Sequence, residues 1–167
     1  MAHVKCLDFL KNHSIDFELY QHVSVFTTSE SEKIKQDIPG AHSKNLFLKD
    51  KKKNYVLLSV LDTKKVDLTA FSKSYGKGRF SFASDEDLMY FLGVIPGSVT
   101  PYGLLNDIAR NVIFYLDQDF LKSDHVNFHP LRNDMTLNVS TYDFLKFCEI
   151  VNHPPICVEI IEKIEST

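Results

Sequence analysis

Apolar residues recur along this chain at spacings that switch between the period of a helix and that of a strand, with short polar breaks between. From Ala2 to Asn12 the residues Val4, Leu7 and Leu10 fall at helical spacing, and the pattern breaks at Asn12-His13-Ser14. Phe17 to Tyr20 alternates as a strand does. The hydroxyl-rich run Thr27 to Glu32, with Ser29 and Glu32 at capping-box spacing, predicts a helix start, and Pro39-Gly40 ends that helix. Two apolar strands follow, Asn45 to Lys49 and Tyr55 to Leu61. Asp50-Lys51-Lys52-Lys53-Asn54 joins them as the charged tip of a hairpin.

Val66 to Tyr75 carries Leu68 and Phe71 at helical spacing and stops at Gly76; Phe80 and Phe82 then flank a short strand. Ser84 caps the next helix, whose acidic first turn, Asp85-Glu86-Asp87, suits the positive end of the helix dipole. Asn111 to Leu116 is a strand of β-branched and aromatic residues, and Gln118 to Leu121 is at most one helical turn. Val126 to His129 and Met135 to Val139 form a second hairpin. Ser140 opens a helix with Phe144, Phe147, Cys148 and Val151 on one face, and Ile156 to Ile161 is the last strand. Hairpins mixed with helices, without strict strand–helix alternation, predict an α+β domain around a mixed sheet.

A chain of 167 residues, 44% of them hydrophobic, fills one core and is too short for two typical domains, so one domain over residues 1–167 is expected. No apolar run approaches the length of a membrane span and the N-terminus lacks the apolar block of a signal peptide, which predicts a soluble, cytoplasmic protein with no membrane partner. Cys6, Cys148 and Cys157 are odd in number and widely spaced, and are expected reduced and half-buried. A net charge of −3 argues against non-specific coating of nucleic acid, and the lysine triplet at the hairpin tip reads most simply as a solvated turn.

The stretch from Leu92 to Leu104 holds three of the six glycines and two of the six prolines. Within it, Gly97-Ser98-Val99-Thr100-Pro101 can bring backbone N–H groups and small side chains close to a compact ligand. Taken alone, such a loop is an ordinary helix-to-strand connection. His125 and His129 stand four apart, but strand-like residues separate them and Pro130 follows, so no metal pair is expected. No Gly-x-Ser-x-Gly elbow and no phosphate-binding glycine pattern appears. Lys44 and Asn45 place a cation and an amide at the mouth of a strand, where they can meet a phosphate or a carbonyl. Without further signal, Lys44 reads first as a surface lysine beginning a strand and His129 as a hydrogen-bonded structural histidine near the core.

Several separated motifs change that balance. Gly40 through Asp50, Val66-Asp67-Leu68, Ser81-Phe82, Leu92-Gly93-Val94-x-Pro96-Gly97-Ser98-Val99-Thr100-Pro101-Tyr102-Gly103-Leu104-x-Asn106-Asp107 and Asn127 through Asn133 together resemble the prolyl-tRNA editing superfamily (YbaK/ProX), in its free-standing alanyl-tRNA(Pro) deacylase branch (ProXp-ala type). The resemblance implies a partly barrel-like central sheet surrounded by helices and an aminoacyl-tRNA deacylase that trans-edits alanyl-tRNA(Pro) without metal or cofactor. Water attacks with help from a ribose hydroxyl of the tRNA. It carries catalytic roles onto Lys44, Asn45 and His129 and a substrate loop onto Gly97, Ser98, Val99, Thr100 and Pro101. The partners it implies are the acceptor end of mischarged tRNA(Pro) and prolyl-tRNA synthetase, not DNA. Ser43 stands where relatives often carry threonine, and keeps the hydroxyl. Cysteinyl-tRNA(Pro) hydrolysis and a non-catalytic tRNA or synthetase adaptor are the competing readings, and Lys64, Lys65 and the lysine hairpin are candidates for reading the acceptor stem.

Overall fold

The computed structural model describes residues 2–22, 33 and 37–164. The capping box expected at Ser29 and Glu32 lies outside them. Eight strands form one mixed sheet in the order β1-β7-β6-β2-β3-β5-β8, with the short β4 added beside β2. The strands are β1 Glu18–Gln21, β2 Ala41–Lys49, β3 Tyr55–Leu61, β4 Ser81–Phe82, β5 Val112–Asp117, β6 His125–Phe128, β7 Met135–Ser140 and β8 Ile156–Val158. Among the described residues four α-helices flank it: α1 Ala2–Asn12, α2 Leu68–Tyr75, α3 Asp85–Leu92 and α4 Thr141–Ile150. The expected mixed sheet with helices is what the chain forms, and none of the described helices is long and apolar enough to cross a membrane.

Strand β3, inside the sheet, shows how it is covered. β3 is buried over five consecutive positions, the signature of a strand with both faces packed. Leu57 enters a large core with Phe47, Phe114, Phe128, Phe144 and Phe147. Val56, Leu58 and Val60 enter a smaller one with Leu48, Phe71 and Phe80. Helix α4 closes the large core with Phe144 and Phe147, its start fixed by the Ser140 hydroxyl accepting the Asp143 N–H at 3.1 Å. Truncating one such phenylalanine to alanine costs about 3–5 kcal/mol.

Four expectations are corrected. Helix α1 buries His3, Cys6 and Leu10, leaving Val4 41% exposed, so its apolar face is turned one position from the one the spacing of Val4 suggested. β2 begins four residues early, at Ala41. The last strand stops at Val158, because beyond it the chain turns to bond the segment before α2: Asp67 N–H donates to the Ile161 carbonyl and Lys163 N–H to that of Lys65. The cysteines are free thiols but not half-buried, since Cys6 and Cys148 are fully enclosed and Cys157 is exposed. Burial pushes the Cys6 thiol up to about 12 and Cys148 well above the ordinary thiol value, so both stay protonated and unreactive.

Candidate functional site

Strand β2 is bonded very differently along its two edges. On one side seven consecutive residues, Ser43 to Lys49, pair with β3. On the other, β6 covers only Ala41 and His42, and β4 covers only Leu48 and Lys49. Between them the sheet has a gap. Along an antiparallel strand, successive residues point their main-chain groups to alternate edges. The His42 carbonyl accepts Asp62 N–H on the β3 side and the Phe47 carbonyl accepts Ala83 N–H on the other. By that alternation Asn45 directs its N–H and C=O groups into the gap, while Ser43, on the same edge, borders the end of the β6 pairing.

The gap opens on a cavity of about 330 Å³ lined by Ser43, Lys44, Asn45, Phe47, Phe82, Ala83, Leu88, Gly97, Val99 and His129, with Leu46 completing the wall. Lys44, Asn45, His129, Gly97 and Val99, widely separated in sequence, are thus brought together. Ser98, Thr100 and Pro101 are not among the lining residues. Ser98 and Thr100 are 1% and 0% exposed, and the Thr100 hydroxyl instead accepts the Tyr102 N–H to start the 3₁₀ turn Pro101–Asn106. These three residues shape the loop from behind.

The loop is held stiffly at both ends. Gly93 ends α3 with its N–H on the Met89 carbonyl, while Asn106 Nδ2 donates to the Leu92 carbonyl at 2.9 Å. Gly103 lies so close to α3 that a Cβ there would stand 2.9 Å from the Leu92 carbonyl oxygen, which admits only glycine. Gly97 itself has φ +87°, the left-handed region that a side chain disfavours, directly at the cavity wall.

Lys44 and Asn45 leave β2 on opposite faces, since their partners Val60 and Ser59 do. The Asn45 amide is oriented by a relay: Ser59 Oγ donates to Asn45 Oδ1 at 2.5 Å, Asn45 Nδ2 donates to Ser43 Oγ at 3.2 Å, and Ser43 Oγ donates to the Asn127 carbonyl at 2.9 Å. Only one of the two amide hydrogens is used in that relay. The Lys44 ammonium donates to the Lys64 carbonyl. Burial lowers its pKa from the ordinary lysine value, against the pull of Asp62 and Glu162 nearby.

Lys64 is part of the support. Its ammonium sits 2.9 Å from Asp117 Oδ1 and 2.6 Å from Asp119 Oδ2, and Asp117 Oδ2 also accepts the Leu61 N–H at 3.1 Å. Burial works against its charge, but the two carboxylates together hold its pKa above the usual value. The expectation that Lys64 reads an acceptor stem is therefore corrected: its charge is committed to fixing the turn whose carbonyl holds Lys44.

His129 Nδ1 lies 2.8 Å from the Met135 carbonyl. A carbonyl only accepts, so Nδ1 carries the proton and Nε2 on the far edge of the ring keeps its lone pair. Burial lowers the pKa of this histidine, and the neighbouring His22 ring, centred 6.4 Å away, lowers it further. The site therefore combines a neutral imidazole, an amide, a lysine and an open strand edge. Ala83 and Leu88 complete it without having been singled out in the sequence, and Phe82 does so having been noted only as part of a motif; the alternation of Phe80 (3% exposed) and Phe82 (62% exposed) was the available signal.

Comparison with known proteins follows this geometry. Residues 22–147 match the family model described as "Aminoacyl-tRNA editing domain". The prolyl-tRNA synthetase associated domain-containing protein 1 of Mus musculus is 41% identical over 148 residues, covering 86% of this chain and 87% of that protein. The prolyl-tRNA editing protein ProX of Acetoanaerobium sticklandii is 36% identical over 141 residues, covering 84% of each. A solved structure provisionally described as a trans-editing enzyme for prolyl tRNA synthetase superposes with a TM-score of 0.73 over 98% of this chain and 99% of that one; at 18% identity it speaks for the fold.

Proposed function

The chain belongs to the family of aminoacyl-tRNA editing domains, and from that premise we propose that it is a single-domain trans-editing hydrolase that cleaves the ester of alanyl-tRNA(Pro). The observation that carries this reading is the cavity at the unfinished edge of β2, where Lys44, Asn45, His129, Gly97 and Val99 converge. An aminoacyl ester is already activated, so hydrolysis needs positioned water and oxyanion donors more than a strong nucleophile.

In this reading the aminoacyl group enters the cavity with its ester carbonyl against β2. Water adds to the carbonyl carbon, and the negative charge that develops on the carbonyl oxygen is met by the Asn45 main-chain N–H and its amide, while the Lys44 ammonium, on the opposite face of the strand, adds positive charge at the rim. The carbon–oxygen bond to the terminal ribose then breaks, and the ribose oxygen takes the proton the water gives up, relayed by the neighbouring ribose hydroxyl. His129 Nε2, unprotonated, accepts a hydrogen bond from the substrate amino group or the attacking water. Val99 and the Gly97 backbone limit side-chain size, the kind of exclusion that lets alanine in and keeps proline out as a second sieve.

The test uses catalytic amounts of protein against alanyl-, cysteinyl- and prolyl-tRNA(Pro). Alanyl-tRNA is expected to turn over fastest, Asn45→Ala to cut the rate by about 10²–10³, the size of losing one oxyanion donor, Lys44→Ala to lower it, and Val99→Ala to narrow the alanyl-to-prolyl ratio. Tight binding without turnover would instead make the protein an adaptor. A Lys44→Ala protein working at the original rate would remove Lys44 from the chemistry.

A further inference from the structure

The tip of the β2–β3 hairpin is more ordered than a solvated turn requires. Asp50, 5% exposed, accepts four hydrogen bonds: from Lys52 N–H at 2.9 Å and Asn54 N–H at 3.0 Å on Oδ1, and from Asn54 Nδ2 at 2.9 Å and Lys77 N–H at 3.2 Å on Oδ2. The last of these comes from a different segment, the loop between α2 and β4. One carboxylate thus ties two lysine-bearing loops together. Burial raises the pKa of this group, but the hydrogen bonds outweigh it and hold the carboxyl below the usual carboxylate range, so the clamp stays charged at neutral pH.

Around that clamp Lys51, Lys52, Lys53 and Lys77 all point to solvent. The stem of Lys51 lies against Gly78, its Cδ 3.8 Å from where a Cβ would stand, so the two loops also touch there. Residues 68–84 contain no acidic residue, and between 44 and 61 the only one is Asp50, whose charge is spent inside the clamp. At the base of the hairpin Lys49 stands 3.9 Å from Asp87. In a chain of net charge −3 this is a concentrated basic surface.

Its position matters as much as its sign. β2 runs from the cavity toward this tip: Lys49 stands four positions beyond Asn45, about 13 Å at a rise of about 3.3 Å per residue. A nucleic-acid strand carries one phosphate per about 3.4 Å of helix, so the cavity and the lysines are a few nucleotides apart along one polynucleotide. We propose that the Asp50-clamped lysines Lys51, Lys52, Lys53 and Lys77 form a docking surface for the phosphate backbone of an RNA acceptor stem whose 3′ end occupies the cavity. The proposal rests on the editing reading for what fills the cavity, and adds where the rest of that molecule lies. Contacts of this kind are insensitive to sequence and sensitive to salt.

The test is direct binding of an uncharged tRNA acceptor-stem hairpin by fluorescence anisotropy across a salt series, comparing the wild type, Lys52→Glu/Lys53→Glu/Lys77→Glu, the same three positions changed to Gln, and Lys122→Glu as a distant control. The triple charge reversal is expected to weaken binding at least tenfold. In the Gln variant the plot of log affinity against log salt should flatten by about one per lysine lost; Lys122→Glu should track the wild type. Hydrolysis of a short aminoacyl-adenosine ester, which has no stem, should be unchanged in all variants that hydrolyse it, while KM for the full mischarged tRNA rises with kcat retained. Equal affinity and equal salt slope in the wild type and both triple variants would overturn the proposal. A wild type that binds the hairpin through these lysines yet hydrolyses no ester would sink the editing chemistry and leave the docking surface standing.

Discussion

The two edges of β2 carry the same residues and have opposite fates. Toward β3 the ladder is continuous and lies between two packed cores. Toward β6 and β4 it is interrupted, and the interruption is where the cavity lies. Backbone groups withheld from the ladder are available to a ligand, so the binding capacity of this strand comes from leaving pairing incomplete within a sheet that is otherwise closed around it. Stability should therefore belong mainly to one edge and chemistry to the other.

The largest effect that could break this contrast is on the closed side. Leu57→Ala, at a fully buried β3 position, should lower unfolding free energy in urea by about 2–5 kcal/mol while the residual folded protein keeps its turnover per molecule; a specific loss of activity without destabilisation would show that the closed edge is not merely structural. Next comes the open side. Asn45→Ala strands the Ser59 hydroxyl, 0% exposed, and should cost about 1–3 kcal/mol and abolish most turnover; the same stability loss with full activity would place Asn45 outside the chemistry. Gly97→Ala forces a side chain into a left-handed backbone position, an expected cost of about 1–2 kcal/mol, with deacylation falling more steeply than the melting temperature.

The smallest effect concerns His129. Its folded pKa lies below the usual histidine value because burial disfavours the cation. Below about pH 6.5 the unfolded chain binds this proton more readily than the folded one, so stability is fully present above that pH and is lost as pH falls toward the folded pKa. His129→Gln should remove that part of the acid sensitivity. Chemical denaturation of both proteins between neutral and mildly acidic pH will show it, and parallel pH profiles would mean the ring is protonated without penalty.

Much of this contrast was legible in the sequence, for physical reasons that also explain the gaps. Both hairpins, the capped helices α3 and α4 and the strand β5 announce themselves because apolar periodicity follows from core packing. The first four residues of β2, from Ala41 to Lys44, escaped because their side chains serve a site and do not alternate by hydrophobicity. The helix face of α1 was misjudged because His3 and Cys6 fill core positions that Val4 was expected to take. Recognition of motifs gathered Lys44, Asn45, Gly97, Val99 and His129, yet it could not separate Gly97 and Val99, at the wall, from Ser98, Thr100 and Pro101 behind it, since every residue of the loop shares the same small, turn-forming chemistry. The commitment of Lys64 to Asp117 and Asp119 depends on a contact across more than fifty positions, which no local pattern encodes.

The order of the strands has a temporal consequence. Among the described residues β1 pairs with β7, about 120 positions later, and β2 meets β6 only after most of the chain exists. Because His129 lies on the far side of that closure, a polypeptide emerging from the ribosome at about 5–20 residues per second passes most of its synthesis with the walls of the cavity still apart. Slow, long-range strand pairing then doubles as a delay before the newborn protein can enclose any ligand at all.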